Sequence, residues 1–146
     1  GNTGNDTFDG TGATVDLTLY GRSGNDVLTG GDADDYIYGD AGADELRGGA
    51  GLDRLYVDES DTVIDGGAGV EDRVLVQQLA SATTGVSVDM AASDVEVAYG
   101  NLNDDTFDGS SSTVALSLYG RNGQDILIGG TGNDRLYGDN NDAAAG

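Results

Sequence analysis

Four consecutive copies of one nine-residue pattern make up GRSGNDVLTGGDADDYIYGDAGADELRGGAGLDRLY, residues 21–56, and set an acidic residue at Asp26, Asp35, Asp44 and Asp53. Each copy reads G-(G/x)-x-(G/A)-x-D-x-U-x, with U aliphatic at Leu28, Ile37, Leu46 and Leu55. A six-residue turn therefore alternates with a three-residue strand that sends one apolar side chain inward. The spacing predicts an all-β solenoid in which two nonapeptides form one coil. Residues 18 apart then stack at the strand spacing of roughly 4.8 Å, with Asp26 over Asp44 on one flank and Asp35 over Asp53 on the other.

The pattern returns as GNTGNDTFD at 1–9, GNLNDDTFD at 100–108, GRNGQDILI at 120–128 and GGTGNDRLY at 129–137, while GGAGVEDRVL from Gly66 carries one extra residue before Asp72. A longer period overlies it. The segment from Asp6, DTFDGTGATVDLTLYGRSGNDVLTGG, aligns without a gap on DTFDGSSSTVALSLYGRNGQDILIGG from Asp105, an offset of 105 − 6 = 99 residues, or eleven nonapeptides. We read residues 1–76 as a first repeat block, 77–99 as an irregular solenoid connection with a small local insertion as the competing reading, and 100–146 as the start of a second tandem unit. The expectation is a fragment of a longer, multi-unit protein.

Composition narrows the chemistry. Against 27 acidic residues stand 6 arginines, with no lysine, histidine, cysteine, proline or tryptophan, for a net charge of −21. A polyanion of this density repels nucleic acid. No disulfide can form, and without thiolate or imidazole the chain offers nothing that favours zinc, copper or haem iron. Hard, oxygen-seeking cations remain, and flexible carbonyl-rich turns suit calcium better than the strict octahedron of magnesium. Two carboxylates about 5 Å apart repel by about 3 kcal/mol at an effective dielectric of 20, which is large beside a total stability of about 5–15 kcal/mol. A divalent ion between successive coils converts each repulsion into coordination. A core of one apolar side chain per half-coil is also thin, and thin cores need a further staple such as metal.

These nonapeptides resemble the RTX (repeats-in-toxin) hemolysin-type calcium-binding family. The resemblance implies a parallel β-roll with several calcium ions between its turns, type I secretion and an extracellular or cell-surface location. It implies as ligands Asp26, Asp35, Asp44, Asp53, Asp125 and Asp134, then Asp6, Asp72 and Asp105, completed by turn carbonyls near Gly24, Gly31, Gly42, Gly49, Gly51, Gly123, Gly130 and Gly132. Thr62 and Ala143, and Val15 and Val114 in two eleven-residue half-turns, occupy the acidic register, so those turns are expected to bind weakly or not at all. On that register Asp44 outranks Asp58 and Asp61. Asp40 and Asp139, second in their turns, are either extra ligands or ordinary turn residues.

The function this supports is a non-enzymatic extracellular calcium-binding module of an adhesin, surface-layer or filament protein that folds on calcium after export. The alternative is the C-terminal secretion and folding module of a secreted enzyme such as a protease, lipase, epimerase or peroxidase. The chain has no histidine, cysteine or lysine for nucleophilic or ordinary acid–base chemistry. Ice binding is weaker still, because only Asn2–Asp6 and Gly130–Asp134 carry the TGND turn it would need on every coil. Tyr20, Tyr38 and Tyr56, spaced 18 apart and followed by Tyr119 and Tyr137, should stack on the outside of one sheet. They form an aromatic ladder open to self-association or to contact with a glycan or cell surface.

Overall fold

The computed structural model describes residues 1–80 and 82–138; Asp139 and Ala143 lie outside the described residues. Among those described there are strands and turns and no helix. Every strand pairing is parallel, as a coil that advances one strand spacing per circuit requires.

One flank is a continuous seven-stranded sheet. It is made of β2 (Thr18–Ser23), β4 (Tyr36–Ala41), β6 (Arg54–Val57), β8 (Arg73–Val76), β10 (Val97–Tyr99), β12 (Ser117–Tyr119) and β14 (Arg135–Tyr137). The opposite flank is broken in two. A four-stranded sheet holds β1 (Thr7–Asp9), β3 (Val27–Thr29), β5 (Glu45–Gly51) and β7 (Val63–Gly69), and a three-stranded sheet holds β9 (Ser87–Asp89), β11 (Thr106–Asp108) and β13 (Ile126–Ile128). The two flanks face each other across a single file of apolar side chains.

That file follows the repeat. Leu19, Ile37 and Leu55 align on one flank and Phe8, Leu28, Leu46 and Ile64 on the other, and Leu28, Ile37, Leu46 and Leu55 are fully buried. Burial of a Leu or Ile side chain contributes about 1.5–3 kcal/mol.

The break on the second flank coincides with the irregular connection. Ala98 aligns with Val74, a separation of 98 − 74 = 24 residues in place of 18. Most of the added length precedes β9, where eleven residues separate Leu75 from Ser87 in place of six; the turn after β9 is one residue longer than regular, and in it Asp89 Oδ1 accepts the Ala91 and Ala92 amides and Ser93 N donates to Asp89 O. Met90 and Val95 are buried beneath it. This turn covers the end of the four-stranded sheet, since Gly66 N donates to Ser93 O at 2.7 Å. The connection thus contributes a strand to each flank while interrupting only one of them.

On the outer face of the continuous sheet the rings of Tyr20, Tyr38 and Tyr56 stack with centroids 4.7 and 4.0 Å apart. A second ladder, Tyr99, Tyr119 and Tyr137, stacks at 4.7 Å per step. The sequence reading had both ladders but left out Tyr99, which sits in the irregular connection. Leu75 aligns with both Tyr56 and Tyr99 and separates the two ladders.

Candidate metal centre

Each turn ends on its acidic residue immediately before a strand, so the parallel register carries that residue into a vertical row. On the broken flank Asp6 N donates to Asp26 Oδ1 (2.6 Å), Asp26 N to Asp44 Oδ1 (2.7 Å) and, beyond the break, Asp105 N to Asp125 Oδ1 (2.9 Å). On the continuous flank Asp35 N donates to Asp53 Oδ1 and Asp53 N to Asp72 Oδ1, both at 2.8 Å. One oxygen of each carboxylate is therefore fixed by the amide of the coil before it. The extra residue ahead of Asp72 is absorbed in its turn without shifting the row.

The second oxygens differ. Those of Asp6, Asp35 and Asp105 accept amides within their own turns, from Asn2, Gly31 and Asn101. Oδ2 of Asp26, Asp44, Asp53 and Asp72 is buried with no hydrogen-bond partner. An unsatisfied buried carboxylate oxygen is costly, and four of them along two rows ask for a cation. Arg47 is engaged by Glu45 (2.8 Å) and Arg73 by Glu71 (3.7 Å).

The glycine that opens each turn shows what surrounds these oxygens. A methyl group on Gly48 would lie 2.3 Å from the Gly66 carbonyl oxygen and 2.4 Å from Asp53 Oδ2. On Gly21 it would meet Gly39 O and Asp26 Oδ2, each at 2.6 Å, and on Gly100 it would meet Gly120 O at 2.3 Å and Asp105 Oδ2 at 2.5 Å. A carboxylate oxygen of one coil and a carbonyl oxygen of the next thus crowd the same space, which is the donor set of a hard cation. Among the described residues no three acidic side chains gather closely enough to hold a metal by carboxylates alone. Each site would draw on carboxylates of two coils and on turn carbonyls.

The carbonyls beside these oxygens belong to the first turn residue, which the sequence reading did not single out. The carbonyls of Gly24, Gly31, Gly49 and Gly51 point at Gly42, Gly49, Gly67 and Gly69 of the following coil, and Gly31 O also accepts the Ala50 amide. Gly123, Gly130 and Gly132 are packed on the carbonyls of Asn103, Ser112 and Val114. A further row went unread at the fifth turn position. Asn5, Asn25, Asp34 and Asp104 each accept, through Oδ1, an amide of the next coil, from Asn25, Ala43, Leu52 and Gln124. Its signal is the Asn or Asp that precedes the acidic residue in each of those copies.

Three placements correct the register. In the eleven-residue half-turns the acidic position is filled by Leu17 and Leu116, not by Val15 and Val114, which are 65% and 50% exposed. Leu17 N donates to Asp35 Oδ1 and Leu116 N to Asp134 Oδ1. Both added residues enlarge the turn, so the count must run back from the strand. A methyl on Gly10 or Gly109 would strike Leu17 or Leu116 Cδ1, where regular coils have the carboxylate. Asp35 and Asp134 accordingly stack on leucine on their N-terminal side.

The second correction is at the turn with Thr62. Asp61, one residue early, takes the place in the row: its Oδ1 accepts Asp44 N at 3.1 Å and its Oδ2 accepts Asp58 N at 2.9 Å. The third is Glu96, whose Oε2 accepts Asp72 N at 3.0 Å from within the connection. Asp40 adopts φ 66° and accepts Gln77 Nε2 at 3.2 Å, the behaviour of a turn residue.

Burial, the largest cause in each case, pushes Asp44 and Asp72 up to about 6, Asp53 to about 7 and Asp61 to about 8. Neighbouring carboxylates act in the same direction, Asp26 on Asp44 and Asp58 on Asp61, against the amide hydrogen bonds that stabilise the charge.

The family model of the RTX calcium-binding nonapeptide repeat matches the chain in 4 copies, over residues 18–46, 38–70 and 117–142. These cover more than half of the sequence, and the chain belongs to that family. No curated protein matches it. Membership implies calcium as the ion for these rows.

The raised carboxyls set a pH dependence for the metal-free chain. The folded state holds protons that the unfolded state has released, so stability contributed by these groups is full below about pH 4 and is lost as pH rises through about 6 to 8. In chelator, circular dichroism should show more β structure at about pH 5 than at about pH 8. In saturating calcium the order should reverse, because protons and the ion compete for the same oxygens. A metal-free β content that rises across this interval would contradict the placement of these carboxyls.

Proposed function

We propose that this chain is a non-enzymatic structural module of an extracellular adhesin, surface-layer or filament protein, exported by a type I system and folded by calcium outside the cell. The observation that carries the reading is the set of buried, unpartnered Oδ2 atoms on Asp26, Asp44, Asp53 and Asp72. In a calcium-poor cytosol the repulsion within the rows opposes folding and leaves an extended polyanion suited to a secretion channel. Extracellular modules bind calcium at about 10⁻⁴ to 10⁻³ M, and binding free energy becomes folding free energy once the ion is present. Asp26, Asp35, Asp44, Asp53, Asp72, Asp105 and Asp125 would hold the ions, with Asp6 and Asp134 at row ends. Among the described residues no helix is long and apolar enough to cross a membrane.

The outer face of the continuous sheet supports a second role, contact with a partner. At the gap between the tyrosine ladders Arg54, Arg73 and Arg121 surround a cleft of about 260 Å³ with Tyr36, Tyr56, Leu75 and Tyr99, and no acidic side chain lines it. The Arg54 guanidinium lies 4.7 Å from the Tyr36 ring centroid and that of Arg121 5.5 Å from Tyr99. Half of the arginines of a chain of net charge −21 thus converge beside aromatic rings. Ring faces and guanidinium groups together fit an acidic glycan better than a second copy of so acidic a chain.

Calcium titration followed by circular dichroism tests the first role. The chain should be largely unfolded in EDTA and become β-rich at millimolar calcium, with magnesium a poor substitute; equal β content and melting temperature in EDTA and calcium would overturn it. For the second, Arg73→Ala should lower retention on an immobilised uronate polysaccharide several-fold while the calcium-induced spectrum is unchanged. Unchanged retention, or loss of self-association alone in sedimentation, would count against the glycan.

A further inference from the structure

We infer that each row of calcium sites extends one coil beyond the nonapeptide register, through Asp61 on the broken flank and Glu96 on the continuous flank. The inference rests on the calcium reading above. Neither residue stands where a GGxGxD turn would put a ligand.

The turn before Thr62 has the regular length, since Leu55 and Ile64 are nine residues apart and Val63 pairs with Glu45. In regular turns the second carboxylate oxygen accepts an amide four residues back, as Asp35 does from Gly31 and Asp105 from Asn101. Asp61 accepts from Asp58, three back. Asp61 stands one residue ahead of the acidic position, yet its carboxylate reaches the row. Asp61 Oδ1 receives the Asp44 amide in the way that Asp44 Oδ1 receives that of Asp26. Thr62, at the nominal position, donates its hydroxyl to Asp44 O instead. Asp44 is fully buried and its Oδ2 has no partner. That atom faces its neighbour: a methyl on Gly39 would lie 2.8 Å from Asp44 Oδ2 and 3.4 Å from Asp61 Oδ2. Oxygens of two successive coils share one space, as at the regular turns.

On the other flank the connection supplies both donors. The Val97–Arg73 pairing aligns Glu96 with Asp72, and the Glu96 carboxylate holds the Asp72 amide. Asp72 is 1% exposed and its Oδ2 is unpartnered. A methyl on Gly66 would lie 2.3 Å from the Asp94 carbonyl oxygen and 3.0 Å from Asp72 Oδ2. Asp94 O thus stands where a regular coil offers the carbonyl of its opening glycine. With oxygen donors only, and a carbonyl among them, the ion that fits is calcium. These two sites would fasten the irregular connection to the first repeat block, one from each flank.

Calcium stoichiometry of the whole chain, measured by equilibrium dialysis at saturation, tests this. Asp61→Asn and Glu96→Gln should each bind one ion fewer than the parent, and Asp16→Asn, which removes an exposed charge outside the rows, should bind the same number. Unchanged stoichiometry in Asp61→Asn or Glu96→Gln, with one lost in Asp26→Asn, would overturn the inference for that flank and leave the calcium reading intact. A parent that binds no calcium would overturn the calcium reading itself. Should a variant not fold, anomalous scattering from terbium in crystals of the unaltered chain decides. Peaks are expected between Asp44 and Asp61 and between Asp72 and Glu96, and either peak missing where the Asp26–Asp44 peak is present would refute that site.

Discussion

The fold depends on stacking like charges in registered rows inside the protein. Every coil brings a carboxylate under the amide of the coil before it, and the parallel register leaves that carboxylate no other place to go. Asp35, Asp44 and Asp53 are fully buried, and Asp26 and Asp72 are 1% exposed. Carboxylates are almost never buried to this degree without a partner. The amide ladder satisfies one oxygen apiece and fixes the geometry. A cation would answer for the charge and, on Asp26, Asp44, Asp53 and Asp72, for the second oxygen.

Where the chain omits the carboxylate it substitutes apolar volume. Leu17 and Leu116 stand in the acidic position and fill the space over the opening glycine. Val57 and Val76, aligned on neighbouring strands, replace the opening glycine itself and are buried. A coil can therefore be closed by a carboxylate with a metal or by a packed hydrocarbon, and the same backbone accommodates either. This explains how a continuous seven-stranded sheet runs through half-turns of different length while the opposite flank breaks at the connection. Side chains of the connection tie it back into the solenoid. Asn101 Nδ2 donates to Gln77 O, and Leu102 N donates to Gln78 Oε1.

Much of this was legible in the sequence because the nonapeptide carries its own register. Asp26 over Asp44, Asp35 over Asp53 and the Tyr20–Tyr38–Tyr56 stack follow from a spacing of 18 and the two-residue strand period. The reading failed in the turns, not in the strands. Counting forward from a glycine put Val15 and Val114 in the row, whereas the strand is the fixed frame and turns absorb insertions. Asp61 was passed over because its turn keeps the regular length with Thr62 in the acidic position, and only the folded chain brings the carboxylate one residue earlier into the row. Glu96 and Tyr99 were hidden for another reason: they sit in a segment without GGxGxD, where only the pairing of β10 with β8 reveals their rank. The first-position carbonyls could not have been read at all, since every residue has one and only the stacking of coils selects which meet a carboxylate.

Amide hydrogen exchange on the unaltered chain is the most direct test that a cation between coils sustains the rows. The amides of Asp6, Asp26, Asp35 and Asp53 each donate to the carboxylate of the next coil, so their protection reports the rows themselves. The account predicts exchange near unfolded-chain rates in chelator and strong protection of all four in saturating calcium, on both flanks together. Equal protection in chelator would contradict it, because the carboxylate rows would then be stable without an ion.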